Sequence, residues 1–498
     1  MSISFDSIPV SIRVPGQYVE FNNSQANTGL PAMPSKILVL GQRLAAGTVK
    51  ANVPTQIFSP SQAGKAFGRG SMLANMLAAI YNANSTTETW AIAQDDNSAG
   101  AAATGSVLYA GPASAAGTAT LYVAANSVPG SNTTVQFAVT AGMTATAMAT
   151  ALAAAIAANP DLPITAMVDG TTPAKVDLTC VHKGLYGNDI DLRTSYYAGD
   201  GMPAGMTATI TAMSGGTTNP DLTNTVIAMA DTWYNSIAFP YSDQASITAM
   251  GAELTRREGP LTQIPGHGYG AVAGTVSTAA AFGETPNSKY FDYFGTTLSP
   301  THPSIWAAVE AGVIEYYGNI DQARPLQTLQ LPGILPPAVS DRPDWQERNL
   351  LLMDGIATFK VDAGGNVLIE RAITTYITNA EGYPDASYLD VETLLTLYFL
   401  RYSLNARIAQ KYPRMKLAAD GTRFAAGQAV VTPSIIRAEI IALFSDWQSA
   451  GLVQNLDQFK SALIVQLDPN DPNRVDALIP PQLITQFRVF AAQIQFLL

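Results

Sequence analysis

The segment SPSQAGKAF, residues 59–67, comes nearest to a phosphate-binding loop. A P-loop needs Gly where Ser59 stands, to free the backbone around the phosphates, and Ser or Thr where Ala66 stands, to ligate magnesium. Both are missing. GHGYGAVAG, from Gly266, has the glycine content of a dinucleotide loop but the wrong spacing, and its glycines run on into a strand-like segment, so close backbone packing explains them. His182, His267 and His302 are the only histidines, and none shares a short motif with another His or Cys, which reads as surface or capping histidines rather than a metal triad. DPNDPN, from Asp468, clusters Asp468, Asn470 and Asp471 but lacks the loop Gly and bidentate Glu of an EF-hand, and its prolines indicate an extended linker. The lone cysteine, Cys180, sits in an alternating strand as a packed thiol. No G-x-S-x-G elbow is present. The residues therefore predict no catalytic group, cofactor or metal. An α/β enzyme with an active site outside known motifs is the alternative.

The elements around these residues define the class. A chain of 498 residues exceeds one compact core. Residues 35–94 alternate as strand SKILVLG, helix GSMLANMLAAIYNAN and strand ETWAIAQD, a β-α-β unit. From 95 to 216 Ala, Gly, Thr and Ser dominate, and no charge occurs between 97 and 160; Gly, Ser, Thr, Asn and Pro interrupt every apolar run, so no membrane span is expected. ATLYVAA, TVQFAVT, KVDLTCV and DIDLRTS read as strands there and TAMATALAAAIAAN as a helix, giving an inserted peripheral α+β domain. The α/β pattern resumes over 217–335 with strands WYNSIAFPY, GYGAVAGTV and YFDYFGT. A C-terminal α+β domain follows over 336–466, with hairpin ATFKVDAGGNVLIERAIT, a helix from Tyr388 to Lys411, and a second helix with Thr432 as N-cap and Pro433 at its first position. The expected fold is thus multidomain α/β and α+β, a mixed-sheet core interrupted by the insertion.

Both ends have one design. In IPVSIRVP the residues Ile8, Val10, Ile12 and Val14 alternate with polar residues and prolines, and residues 1–34 read as an arm and linker. In RVFAAQIQFLL, Phe487, Val489, Ile494, Phe496 and Leu498 give the period of a strand, hung on the connector LDPNDPNRVDALIPP, so that 467–498 form a second linker and arm. An unpaired strand is an aggregation hazard unless something pairs with it. The formal charge of -11 argues against nucleic acid as a partner. The one basic concentration runs from Arg401 through Arg407, Lys411, Arg414 and Lys416 to Arg423. It reads either as the basic end of a helix that opens with Asp390 and Glu392, or as a patch docking an acidic partner. The start MSISFDSIPV lacks a secretory pattern, which disfavours a third reading, an exported adhesion protein.

Several stretches resemble the tail sheath protein of contractile-tailed, Mu-like bacteriophages: VPGQYVEF, FGRGSMLANM, TWYNSIAFPYSD, GPLTQIPGHGYGAVAGT, ERNLLLMDGIATFKVDAGGNVLIERAITTY and the ending LDPNDPNRVDALIPPQLITQFRVFAAQIQF. They span nearly the whole chain in order. The resemblance implies a structural, non-enzymatic subunit of the virion, assembled in the bacterial cytoplasm. It implies stacked six-subunit rings around an inner tail tube, between baseplate and tail terminator proteins, that contract to drive the tube through the host envelope without inserting in the membrane. It also implies that the arms Ile8 to Val14 and Phe487 to Leu498 add strands to a neighbour's C-terminal domain, with hairpin Ala357 to Thr374 as acceptor. Arg401, Arg407 and Lys411, or the helix from Ile435 to Trp447, are the implied tube contacts.

Overall fold

The computed structural model describes residues 11–20, 29–425 and 427–497. They form two compact units. The larger holds Pro34–Tyr398 and the segment from Thr485; the smaller holds Phe399–Ile484 with the described residues before Pro34.

The larger unit is built on β1 (Lys36–Gln42), where Ile37, Leu38, Val39 and Leu40 are all buried, as expected of a strand covered on both faces. β2 (Thr55–Ile57), α1 (Pro60–Phe67), α2 (Met72–Ala83) and β3 (Glu88–Gln94) follow. The chain then leaves the sheet for the Ala-rich segment. This contains β4 (Ala102–Ala110), β5 (Gly117–Val123), β6 (Thr134–Val139), α3 (Ala145–Ala157), β7 (Ile164–Val168), β8 (Lys175–Lys183), β9 (Leu192–Arg193) and β10 (Thr207–Ser214). They form antiparallel sheets of order β10-β4-β8-β7 and β6-β5-β9. DIDLRTS supplies only the two residues of β9, because a 3-10 turn over Leu185–Asp189 precedes it.

After α4 (Thr223–Met229) the chain returns with β11 (Ser236–Ala238), α5 (Gln244–Glu258), β12 (His267–Val272), α6 (Val276–Gly283), β13 (Phe291–Gly295) and α7 (Pro303–Ile320). The six-stranded sheet has the order β13-β12-β11-β1-β3-β2, parallel except for β2. α7 is buried along most of its 18 residues, including Trp306, Val309 and Ile314. The glycines of β12 are there for packing: a Cβ on Gly268 would stand 2.6 Å from the Phe291 ring, and one on Gly270 2.4 Å from the Tyr293 ring.

The boundary expected between residues 335 and 336 does not coincide with the division between units. α8 (Trp345–Met353) leads into the hairpin β14 (Thr358–Val361) and β15 (Val367–Arg371), which adjoins the central sheet: the Ala357 N–H donates to the Tyr293 carbonyl and the Thr375 N–H to that of Phe291, both at 2.9 Å. The division falls instead within α9 (Val391–Lys411).

The smaller unit contains the end of α9, β16 (Lys416–Leu417), β17 (Val430–Val431), α10 (Pro433–Ser449), β18 (Val453–Gln454), α11 (Leu456–Ala462), β19 (Ile464–Leu467), β20 (Val475–Leu478) and β21 (Gln482–Leu483). Its core joins Ile440, Leu443, Phe444 and Trp447 of α10 to Phe459, whose ring stacks on Phe444 at 4.0 Å. Thr432 makes no side-chain capping bond. Asp420 does so in its place, accepting the Ser434 N–H at 3.0 Å. The segment expected to be an extended connector is instead the hairpin β19–β20, because Asp468 accepts the N–H groups of Asn470 and Asp471 and folds the Pro-containing stretch into a turn.

Two fully buried carboxyls, Asp292 on β13 and Glu310 on α7, lie close enough to feel each other's charge. Burial pushes both well above the usual carboxylate range, so the folded chain keeps protons that the unfolded chain releases above about pH 4. Their contribution to stability is present at low pH and is lost as pH rises, at about 1.4 kcal/mol per pH unit for each retained proton. Denaturant unfolding of Glu310→Gln between pH 5 and 9 should show a shallower loss of stability than the wild type; parallel profiles would refute the assignment.

Candidate functional site

An open parallel sheet would bind a ligand beyond the carboxyl ends of its strands, where the strand order reverses. Here that point lies between β1 and β11, and side chains of the chain itself fill it. At the N-terminus of α2, where a phosphate would sit, His182 Nε2 accepts the Met72 N–H at 3.1 Å, and its Nδ1 meets Asp96 at 3.0 Å. Gln42 donates to Asp96 at 2.6 Å and to the Lys183 carbonyl at 2.7 Å. Asn219 reaches Asp243, the N-cap of α5, at 2.6 Å. Tyr241 hydrogen-bonds Gln94.

The other two histidines and the cysteine are buried. His302 is buried rather than on the surface; it caps α7, its ring facing the Tyr186 carbonyl at 2.9 Å, and burial lowers its pKa to about 4. His267 is buried without a hydrogen-bond partner among the described residues, and burial lowers it to about 3, which keeps it neutral. Burial pushes the Cys180 thiol up to about 12, far from a reactive thiolate. Among the described residues no group of three or more His, Cys, Asp or Glu could hold a metal, and no helix is long and apolar enough to cross a membrane.

The ends of the chain are different. Ile8, Val10 and Leu498 lie outside the described residues. Ile12 and Val14 are exposed and in no strand. From Phe487 the expected strand has no strand partner among the described residues: Phe487, Val489, Phe490, Ile494, Phe496 and Leu497 are between 73% and 100% exposed. This is an apolar segment left outside its own body.

The suspected acceptor over Ala357–Thr374 is occupied along β15, where the Thr328 N–H donates to Ile369 at 2.7 Å and that of Leu331 to Val367 at 2.9 Å. β19–β20 is a lone two-stranded sheet. The Asp468 N–H bonds to the Arg474 carbonyl, so by alternation Val465, Leu467, Val475 and Ala477 turn their backbone groups to the two outer edges. No backbone partner meets either edge among the described residues.

The basic stretch is largely consumed internally. Arg407 pairs with Glu439 at 3.1 Å and with Asp446, and Lys411 pairs with Glu439 at 2.7 Å. Arg401 is half-buried. The apolar face of α10 is inside, which removes Ile440, Leu443 and Trp447 as surface contacts. Exposed cations remain at Arg414 and Arg423, beside exposed Met415 and Phe424. By sequence the smaller unit carries 10 cationic and 9 anionic side chains, and the larger unit 17 and 29.

A mixed α/β body with exposed apolar ends and an open hairpin has the features of a structural subunit that offers backbone to other chains. The chain belongs to the phage tail sheath family: the pattern of the phage tail sheath protein central domain matches residues 215–375, and that of the phage tail sheath C-terminal domain matches residues 383–497. It is 44% identical over 498 residues to the Mu-like prophage FluMu tail sheath protein of Haemophilus influenzae (strain Rd), covering 100% of both chains. Similar solved structures include the sheath tail protein of Desulfitobacterium hafniense (12% identity, 94% of this chain and 100% of that one, TM-score 0.47). Another is the contracted helical sheath of the anti-feeding prophage (12% identity, 98% of each chain, TM-score 0.45).

The ion pairs of Arg407 make it a structural residue. Arg407→Ala should lower unfolding stability by about 1 kcal/mol, since half-buried Glu439 keeps Lys411 but loses the guanidinium, as does Asp446. A loss under 0.5 kcal/mol in urea titration would show the pairs to be dispensable.

Proposed function

We propose that this chain is the non-enzymatic repeating subunit of a contractile sheath that stacks as six-subunit rings around an inner tail tube and shortens to drive the tube through a bacterial envelope. The observation that carries the reading is the exposed, unpaired apolar segment 489–497 in a chain that also has a hairpin with two open edges. Each subunit gives its terminal segments to neighbours, and the acceptor is β19–β20 rather than β14–β15. Backbone hydrogen bonds along Val465–Leu467 and Val475–Ala477 supply affinity, and alternate apolar side chains supply register. Such contacts are head-to-tail and do not close on themselves, so they build helical assemblies.

The tube contact is assigned to the exposed loop around Arg414 and Arg423, because the cations of α9 already neutralise α10. Baseplate and terminator proteins meet the two ends of the assembly, which belongs to the virion and forms in the host cytoplasm. His182 and Asn219 in the sheet's crevice are consistent with a body that needs no nucleotide.

Truncation after Arg488 should leave a folded protein that forms no tubes by negative-stain microscopy; long tubes would refute the arm assignment. Ala477→Pro removes one outward N–H while sparing the bonds within the hairpin. It should leave unfolding stability within about 1 kcal/mol of wild type and shorten tubes severely. Wild-type tubes from that variant would exclude the β20 edge as acceptor.

A further inference from the structure

Around residue 488 the usual order of burial is inverted. Phe487, Val489 and Phe490 are at least 73% exposed, while the Arg488 side chain between them is 14% exposed. A segment that merely collapsed on its own body would bury the aromatics and leave the guanidinium in water. Here Arg488 Nη2 sits 2.9 Å from Asp390 Oδ1 and 3.0 Å from Glu392 Oε2. Glu392 is fully buried, and its other oxygen accepts the Leu326 N–H at 2.9 Å. Asp390 is also held by Arg371 of β15, at 2.9 Å and 3.2 Å.

We propose that Arg488 is the positioning residue of the C-terminal arm: it anchors the arm's root to its own subunit between Asp390 and Glu392, so that only the segment from Val489 onward is given to a neighbour. This rests on the strand-donation reading of the arm. Removing Arg488 would leave Glu392 buried without its counter-charge, so withdrawing the root is costly and a pull on the arm stops at this residue. The anchor is ionic and directional, which leaves the apolar side chains for the acceptor. The expected arm from Phe487 is thereby divided into a fixed root and a donated strand.

The test separates positioning from folding. Arg488→Gln alone should lower stability and assembly together. The pair Arg488→Gln with Glu392→Gln leaves no unpaired buried carboxylate at this position and should recover wild-type unfolding stability, yet elongate tubes at least about tenfold more slowly and exchange its amides at 485–490 about tenfold faster in the monomer. Arg488→Lys, which keeps the charge, should restore part of the elongation rate. Wild-type elongation and exchange by the stable double variant would overturn the proposal. If the double variant does not regain stability, Arg488→Lys decides: elongation no faster than that of Arg488→Gln would overturn it as well. The truncation after Arg488 distinguishes the two levels: tubes from that protein would remove the donation reading itself, whereas no tubes from it together with wild-type tubes from the double variant would remove the anchor alone.

Discussion

Backbone N–H and C=O groups along the rim of a β-sheet must find partners or water, and this chain's organisation follows from where it supplies those partners. The outer strand of the central sheet, β13, receives Ala357 and Thr375, and β15 receives Thr328–Leu331. The larger unit therefore spends its own loops in closing these strands. Among the described residues the smaller unit does not close β19–β20. The chain thus covers the rim of one sheet with its own loops and leaves another hairpin uncovered. The inverted burial at Arg488 belongs to the same division, a charge fixed inside and aromatics left outside.

The parallel sheet shows why fold and function come apart here. Its crevice beyond β1 and β11 is where α/β enzymes place nucleotides, and an enzyme was the natural competing reading. His182 and Lys183 enter that crevice from the Ala-rich segment, and Asn219 from the stretch just after it. His182 gives the first N–H of α2 the acceptor a phosphate would otherwise provide. What is a binding site in other proteins is here a joint between the sheet and its insertion.

Much of the larger unit was legible in the sequence because its signals are local. Ile37 to Leu40 are contiguous and aliphatic, Ser71 caps α2, and Gly268 and Gly270 announce a close approach that the Phe291 and Tyr293 rings make. α7 escaped sequence reading because a helix buried on all sides has no polar face to set a period, although Pro303 at its first turn was a usable start signal. β19–β20 escaped because each strand is four residues long and the turn between them looks like a linker. The partners of the basic stretch escaped for a different reason. Arg407 meets Glu439 and Asp446 only after α10 folds back, 32 and 39 residues away, and Arg488 meets Glu392 across 96 residues. Spacing alone carries no trace of such pairs.

The charge of this molecule is unevenly kept. The smaller unit is close to balanced, with 10 cations against 9 anions, while the larger holds 29 anions against 17 cations. In any array of copies the larger units bring like charge together, and at about 0.1 M salt that repulsion reaches only some 10 Å. The surrounding ions then act as a component of the array. Dilute buffer would then loosen such an array and added salt tighten it, the opposite of what an assembly held mainly by ion pairs would show.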